Sequence, residues 1–137
     1  LGFSKGMAFS RGLPIIPVPT MLSLAYSLKD QELKNGILFS HSEKVFYQSF
    51  EWKNNMPSVK DKAIVTEFES IMEKEELDFH SNCERFFRDD VEIISTNHSS
   101  KHIALLASKF YDDWVIKKPY ELVPDYVAPF IIKTSAK

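Results

Sequence analysis

The sequence predicts an α/β fold, a mixed sheet flanked by helices, and three observations carry the prediction. Ile103, Leu106, Ala107, Phe110 and Trp114 recur at helical spacing. Residues 45–52 alternate as a strand does, with Val45, Tyr47, Ser49 and Glu51 on one face and Phe46, Gln48, Phe50 and Trp52 on the other. Short apolar runs with strand character lie between the helical segments rather than apart from them.

The elements follow in order. Residues 1–11 read as a helix, with Gly12 as its C-terminal cap and Pro14 as its stop. Ile15, Ile16 and Val18 read as a short strand among Pro14, Pro17 and Pro19, better placed at an edge than at a sheet centre. Thr20 is the expected N-cap of a helix bearing Met21, Leu22, Leu24, Ala25 and Leu28. Asn35-Gly36 closes a polar linker. A second unit then opens with strands at 37–40 and 45–52 around a turn at 42–44, a loop at 53–58 and a third strand at 62–65. Thr66 and Glu69 fit a capping box for a helix reaching about residue 76, with Phe68, Ile71 and Met72 toward the core. Short strands are expected at 77–80 and 91–95, the last helix starts near Ser99, and 122–132 is extended, broken by Pro124 and Pro129. The boundary at the linker divides the chain into 1–35 and 36–137.

Composition narrows the function. The chain has 137 residues, 44% apolar and 26% charged, which is ordinary for a globular domain. A net charge of −2 without a basic block argues against direct, tight binding to a phosphate backbone. No apolar run approaches the ~20 residues of a membrane span. Cys83 is the only cysteine, which excludes an internal disulfide and suits a reducing, cytoplasmic setting.

The first helix carries more apolar surface than one sheet contact needs. At ~100° per residue, Gly2, Gly6, Phe9 and Leu13 fall together, Phe3 and Met7 widen that arc, and Leu1 and Ala8 form a second patch beyond Lys5. Burying Phe3, Met7 and Phe9 is worth roughly 1.5–3 kcal/mol each. Each glycine costs about 1 kcal/mol in a helix interior, a cost that makes sense where another backbone approaches closely. Two readings fit these residues: a helix packed on two sides within its own fold, or a helix whose surplus face meets a second molecule.

The stretch "GFSKGMAFSRGLPIIPVPTMLSLAY" resembles the helix–strand–helix of the TsaB (YeaZ) family, which reads like G-x-S-x-A-K-G-L-A followed by I-P-x-I-x-V-S-T-L-x-x-L-A. The matching positions are Gly2, Ser4, Lys5, Gly6, Ala8, Pro14, Ile16, Val18, Thr20, Leu24 and Ala25. "EKVFYQSFEW" resembles the family's E-V-Y-x-A-x-Y strand, and Pro124 and Tyr126 resemble its closing P-x-Y-L-R segment. Phe39-Ser40-His41 stands where many members carry Asp-Ala-Arg, and Ala128 where an Arg is common. The resemblance implies a partial actin-like (ribonuclease H-like) fold. It also implies that a front sheet and a Gly-Ser-Phe-Thr-Gly-x-Arg turn precede this helix in a longer protein, so that a cleaved, truncated or partial chain is expected.

For function, the resemblance implies a non-catalytic subunit in the synthesis of threonylcarbamoyladenosine beside the tRNA anticodon. It would pair with a TsaD-type threonylcarbamoyltransferase and act with a TsaE-type ATPase; self-association is possible, and contact with tRNA is indirect. The partner interface would then include Gly2, Phe3, Gly6, Met7 and Phe9. The alternatives are an ATP-binding enzyme of the same superfold and a glycoprotease-like protein of unknown activity. No catalytic residue, cofactor or metal site is expected. The glycines, at 2, 6, 12 and 36, form no phosphate loop. His98 and His102 have ligand spacing but no third ligand, Cys83 with His80 reads as an incidental pair, and residues 73–76 as a solvated helix end.

Overall fold

The computed structural model describes residues 1–73, 76–87 and 92–127. Helix α1 (Gly2–Ser10) and helix α2 (Thr20–Ser27) come first, followed by strands β1 (Asn35–His41), β2 (Lys44–Lys53), β3 (Met56–Val59) and β4 (Ile64–Glu67). Helix α3 (Phe68–Met72), strands β5 (Phe79–Ser81) and β6 (Ile94–Ser95), and helices α4 (Ser100–Lys109) and α5 (Tyr111–Trp114) complete the order, with 3-10 turns at Glu84–Phe86 and Pro119–Glu121.

The strands form one mixed sheet in the order β3-β2-β1-β5-β6, with β4 also on β2. β1 is antiparallel to β2 (Leu38 opposite Phe46) and parallel to β5 (Ile37 opposite His80). β2 has ten residues, long enough to pair with β3 along 50–53 and with β4 along 44–47 on the same edge.

The alternation read along β2 sorts residues onto two covered faces. Phe46, Phe50 and Trp52 pack with Leu38 and Phe79 beneath Met21, Leu22, Leu24 and Ala25 of α2. Val45 and Tyr47 pack with Ile37, Phe39 and Cys83 beneath Ile71 of α3 and the aromatic group Phe68, Phe86 and Phe87. Phe68 stacks on Phe86 at 4.6 Å and meets Phe87 edge-on at 5.3 Å. An α/β sheet needs both faces buried, and Phe46, Phe50 and Phe79 on one face with Phe39, Phe68, Phe86 and Phe87 on the other supply much of the bulk.

Several expected elements take other forms. Residues 15–18 make no strand: Ile15 forms a single antiparallel bridge with Ile116, because the surrounding prolines lack the N–H groups a longer ladder needs. Pro19, not Thr20, is the N-cap of α2, and no side chain caps it. The loop expected at 53–58 is a hairpin leading into β3, turned by Asn54 and Asn55, both at positive φ as a two-residue turn of this hand requires. Pro57 fits there because β3 is an edge strand. The capping box does not form: Thr66 lies in β4 opposite Val45, and Glu67 is the N-cap of α3. That helix ends at Met72, which is exposed, so only Phe68 and Ile71 face the core. The strand expected at 77–80 is shifted to Phe79–Ser81. Of that expected at 91–95, Ile94 and Ser95 are strand and Val91 lies outside the described residues, as does the part of 122–132 from 128 onward.

His80 gives the fold a pH dependence. It is 4% exposed, its ring lies 4.9 Å from that of Phe87, and burial holds its pKa below the ordinary 6.5, with the Glu84 carboxylate 4.0 Å away pulling more weakly upward. The unfolded chain therefore binds a proton that the folded chain refuses. Stability is complete above about pH 6.5 and falls as the pH drops toward the folded value. Urea midpoints measured from pH 7.5 to 5 are expected to decline less steeply in His80→Gln than in the native chain. Equal slopes would remove His80 as the cause.

Candidate partner-binding face

Helix α1 is closed by its own sequence. Gly12, at φ +61°, takes the left-handed conformation just past the cap. This lets the Leu13 amide donate to the Ala8 carbonyl (2.9 Å) and the Gly12 amide to the Phe9 carbonyl (3.2 Å), the bond pair of a Schellman motif. Pro14 follows. The helix main chain therefore stops at Ser10, and Leu13 follows just past the cap.

One side of α1 is anchored. Ala8 is buried, and Lys5 Nζ donates to the carbonyl oxygens of Tyr120 (3.2 Å) and Leu122 (2.8 Å), tying the helix to the 3-10 turn at Pro119–Glu121. The paired amides and carbonyls of Ile15 and Ile116 fix the chain just beyond. Leu1 and Ala8, which the wheel puts in one patch, are thereby separated: Ala8 is covered, Leu1 exposed.

The opposite side is open. Phe3 is 80% exposed, Phe9 68% and Met7 48%, and Leu13 is exposed beside them. A Cβ added at Gly2 or Gly6 would meet no heavy atom within 4 Å. The described chain therefore gives no packing reason for either glycine. Ser10, the polar residue within this arc, turns its hydroxyl back to the Met7 carbonyl (3.0 Å), so the face stays apolar. Gly2, Phe3, Gly6, Met7 and Phe9 thus share one uncovered surface.

The other candidates fall elsewhere. His98 is exposed, whereas His102 turns edge-on to Tyr26 at 5.9 Å. Among the described residues, no three His, Cys, Asp or Glu side chains are placed to hold a metal. Cys83 is fully buried, its thiol donates to the Ser81 carbonyl, and burial pushes its pKa up to about 12, so at neutral pH it is a packed thiol rather than a nucleophile. Phe39, at the position of the family's Asp, is an apolar wall residue beside Phe86, with the Arg85 guanidinium 5.0 Å from its ring. Ala128 lies outside the described residues.

Sequence reading missed one concavity. A pocket of about 410 Å³ opens between the start of β1, the middle of β2 and the 60–63 segment, and Lys34, Lys60 and Lys62 line it. The Lys-Asp-Lys run was the available signal, and by itself it looks like any solvated turn.

No family model matches the chain, and no curated protein matches it. Solved structures do. One is a Pseudomonas aeruginosa protein described as uncharacterized with similarity to peptidase YeaZ: TM-score 0.69 at 14% identity, covering 93% of this chain and 65% of that one. Another is YeaZ from Pseudomonas aeruginosa: TM-score 0.67 at 15% identity, covering 91% and 65%. The fold is YeaZ-like. It is a partial actin-like α/β fold, and the chain spans about 65% of the length of these neighbours. Identity this low speaks for architecture alone. Among the described residues, no helix is long and apolar enough to cross a membrane.

Proposed function

We propose that this protein is a TsaB-like, non-catalytic subunit of tRNA modification. It pairs with a TsaD-type threonylcarbamoyltransferase and, with a TsaE-type ATPase, supports formation of threonylcarbamoyladenosine beside the anticodon in the cytoplasm. Contact with tRNA runs through the partner.

The observation that carries this reading is the open side of α1. Phe3, Met7 and Phe9 stand in solvent along a helix that spends two glycines on nothing within its own described chain. Small residues at a four-residue spacing let a second helix approach closely, and the flanking aromatics then bury against it. The YeaZ-like fold supports the same assignment, as does the sequence resemblance, which is densest in this helix. Self-association through this face is a competing state of the same surface, displaced when the transferase binds.

The test is size-exclusion of the full-length protein with its TsaD-type partner. Co-elution as a stoichiometric complex, with threonylcarbamoyladenosine formed only when both are present, is the expected result. Separate elution at micromolar concentrations would refute the pairing.

A further inference from the structure

The lysine-lined pocket lies away from α1, and its construction is specific. β3 and β4 share one edge of β2 but do not meet: the chain leaves the ladder after Val59, bulges through 60–63 and rejoins at Ile64. The bulge is held, since the Lys60 amide donates to the Ser49 carbonyl (3.0 Å) and the buried Gln48 donates its Nε2 to the Asp61 carbonyl (3.1 Å). Across the gap, Lys34 is equally fixed: its amide donates to Asp78 Oδ2 (2.8 Å), and its carbonyl accepts from Phe50 (2.7 Å). Lys34 and Lys60 therefore stand on hydrogen-bonded backbone around one opening, and Lys62 follows one residue past the held Asp61 carbonyl.

Their charges are unused. None of the three ammonium groups has an ion-pair or hydrogen-bond partner among the described residues, whereas Lys44, Lys118 and Arg85 are each paired with a carboxylate. Among the described residues of the pocket wall the one carboxylate is Asp61, which leaves a surplus of positive charge there in a chain whose net charge is −2. The floor is a relay in which Ser49 Oγ donates to Tyr47 Oη (3.0 Å), Tyr47 Oη to Asn35 Oδ1 (3.3 Å) and Asn35 Nδ2 to the Glu76 carbonyl (2.9 Å). With its own proton committed there, Ser49 Oγ, on the pocket lining, is left as an acceptor. It suits a ligand hydroxyl rather than an anion.

We propose that this pocket binds a small phosphorylated, hydroxyl-bearing molecule of mononucleotide or sugar-phosphate size. Lys34, Lys60 and Lys62 hold the phosphate, and Ser49 accepts from a hydroxyl. The volume, about 410 Å³, lies in the range of small-ligand sites.

The test is amide NMR titration of the full-length protein with inorganic phosphate, with adenosine 5′-monophosphate and with adenosine, against sodium chloride at matched ionic strength. Saturable shifts at Ser49, Lys60 and Lys62 are expected with both phosphate-bearing probes and not with adenosine or chloride. Binding should weaken by about tenfold or more in Lys60→Gln/Lys62→Gln. The variant keeps its fold because both side chains are exposed; an unchanged spectrum elsewhere checks this. The absence of saturable shifts with both phosphate probes would overturn the proposal, as would equal affinity in the double variant. Response only to a single-stranded oligoribonucleotide would overturn it too, since an extended backbone would then be the ligand.

Discussion

Replacing Gly36 with valine is expected to destabilise the fold by about 3 kcal/mol or more, the upper end of what overpacking a closed core costs. Gly36 lies in β1 between Gln48 of β2 and Phe79 of β5. A Cβ there would fall inside the van der Waals envelope of the Phe79 ring. That ring is fully buried and hemmed in by Phe50, 6.2 Å away, and by the side chains of α2. It has nowhere to go. Gly36→Ala should cost roughly 1–3 kcal/mol, and trimming the obstacle in Gly36→Ala/Phe79→Leu should show favourable coupling between the two sites. Thermal unfolding followed by circular dichroism measures all three variants, at roughly 4 °C per kcal/mol for a chain of this size. Wild-type stability in Gly36→Ala would mean that the ring is free to move and that the two sides of the sheet are less tightly locked than their packing indicates.

The second large effect separates binding from folding. At Gly6 the described chain leaves space, so Gly6→Ala should stabilise the free protein by up to about 1 kcal/mol, the difference in helix propensity. Gly6→Leu should likewise leave the melting temperature unchanged or raised, while lowering affinity for the TsaD-type partner by about a hundredfold, since a leucine at the contact holds two helices apart. Opposite signs for stability and association are what an interface glycine predicts. An internally packed glycine predicts the same sign for both. Gly6→Leu that melts early would therefore assign the glycine to the protein's own fold, and Gly6→Leu that binds normally would remove α1 from the interface.

How much of this was legible without coordinates differed by element. The two faces of β2 were readable because period and burial agree. The last helix, expected to run as one from near Ser99 through Trp114, is instead two: α4 ends at Lys109 and α5 begins at Tyr111, with Leu106 buried but Ile103 exposed. The helix stop at Gly12 was readable because a left-handed residue followed by proline leaves little choice. Residues 15–18 misled, since apolar β-branched residues have strand propensity but the prolines around them cannot complete a ladder, and tertiary context left one bridge. Thr66 fitted a cap by spacing, yet β2 is long enough to recruit it as a strand residue, and backbone pairing outweighed a local side-chain bond. Asn54-Asn55 was a hairpin signal obscured by Pro57, whose presence is tolerable only at an edge, and edges are a property of the assembled sheet.

The same division holds for the candidate surfaces. The surplus on α1 was visible as a wide apolar arc, but which side its own chain covers depended on Lys5 reaching carbonyls 115 and 117 residues away. The lysine pocket was invisible, because Lys34 joins Lys60 and Lys62 only through the register of β1 on β2.

One measurement bears most directly on the central idea that the open side of α1 is covered by a second protein. Hydroxyl-radical footprinting of the full-length chain, alone and with the TsaD-type partner, reads the reactivity of Phe3, Met7 and Phe9. The expected result is that all three are labelled readily in the free protein and protected at least about fivefold in the complex, while exposed Tyr120 stays unchanged. Labelling of Phe3, Met7 and Phe9 that is equal in both samples, or protection already complete in a monomeric sample without the partner, would contradict it.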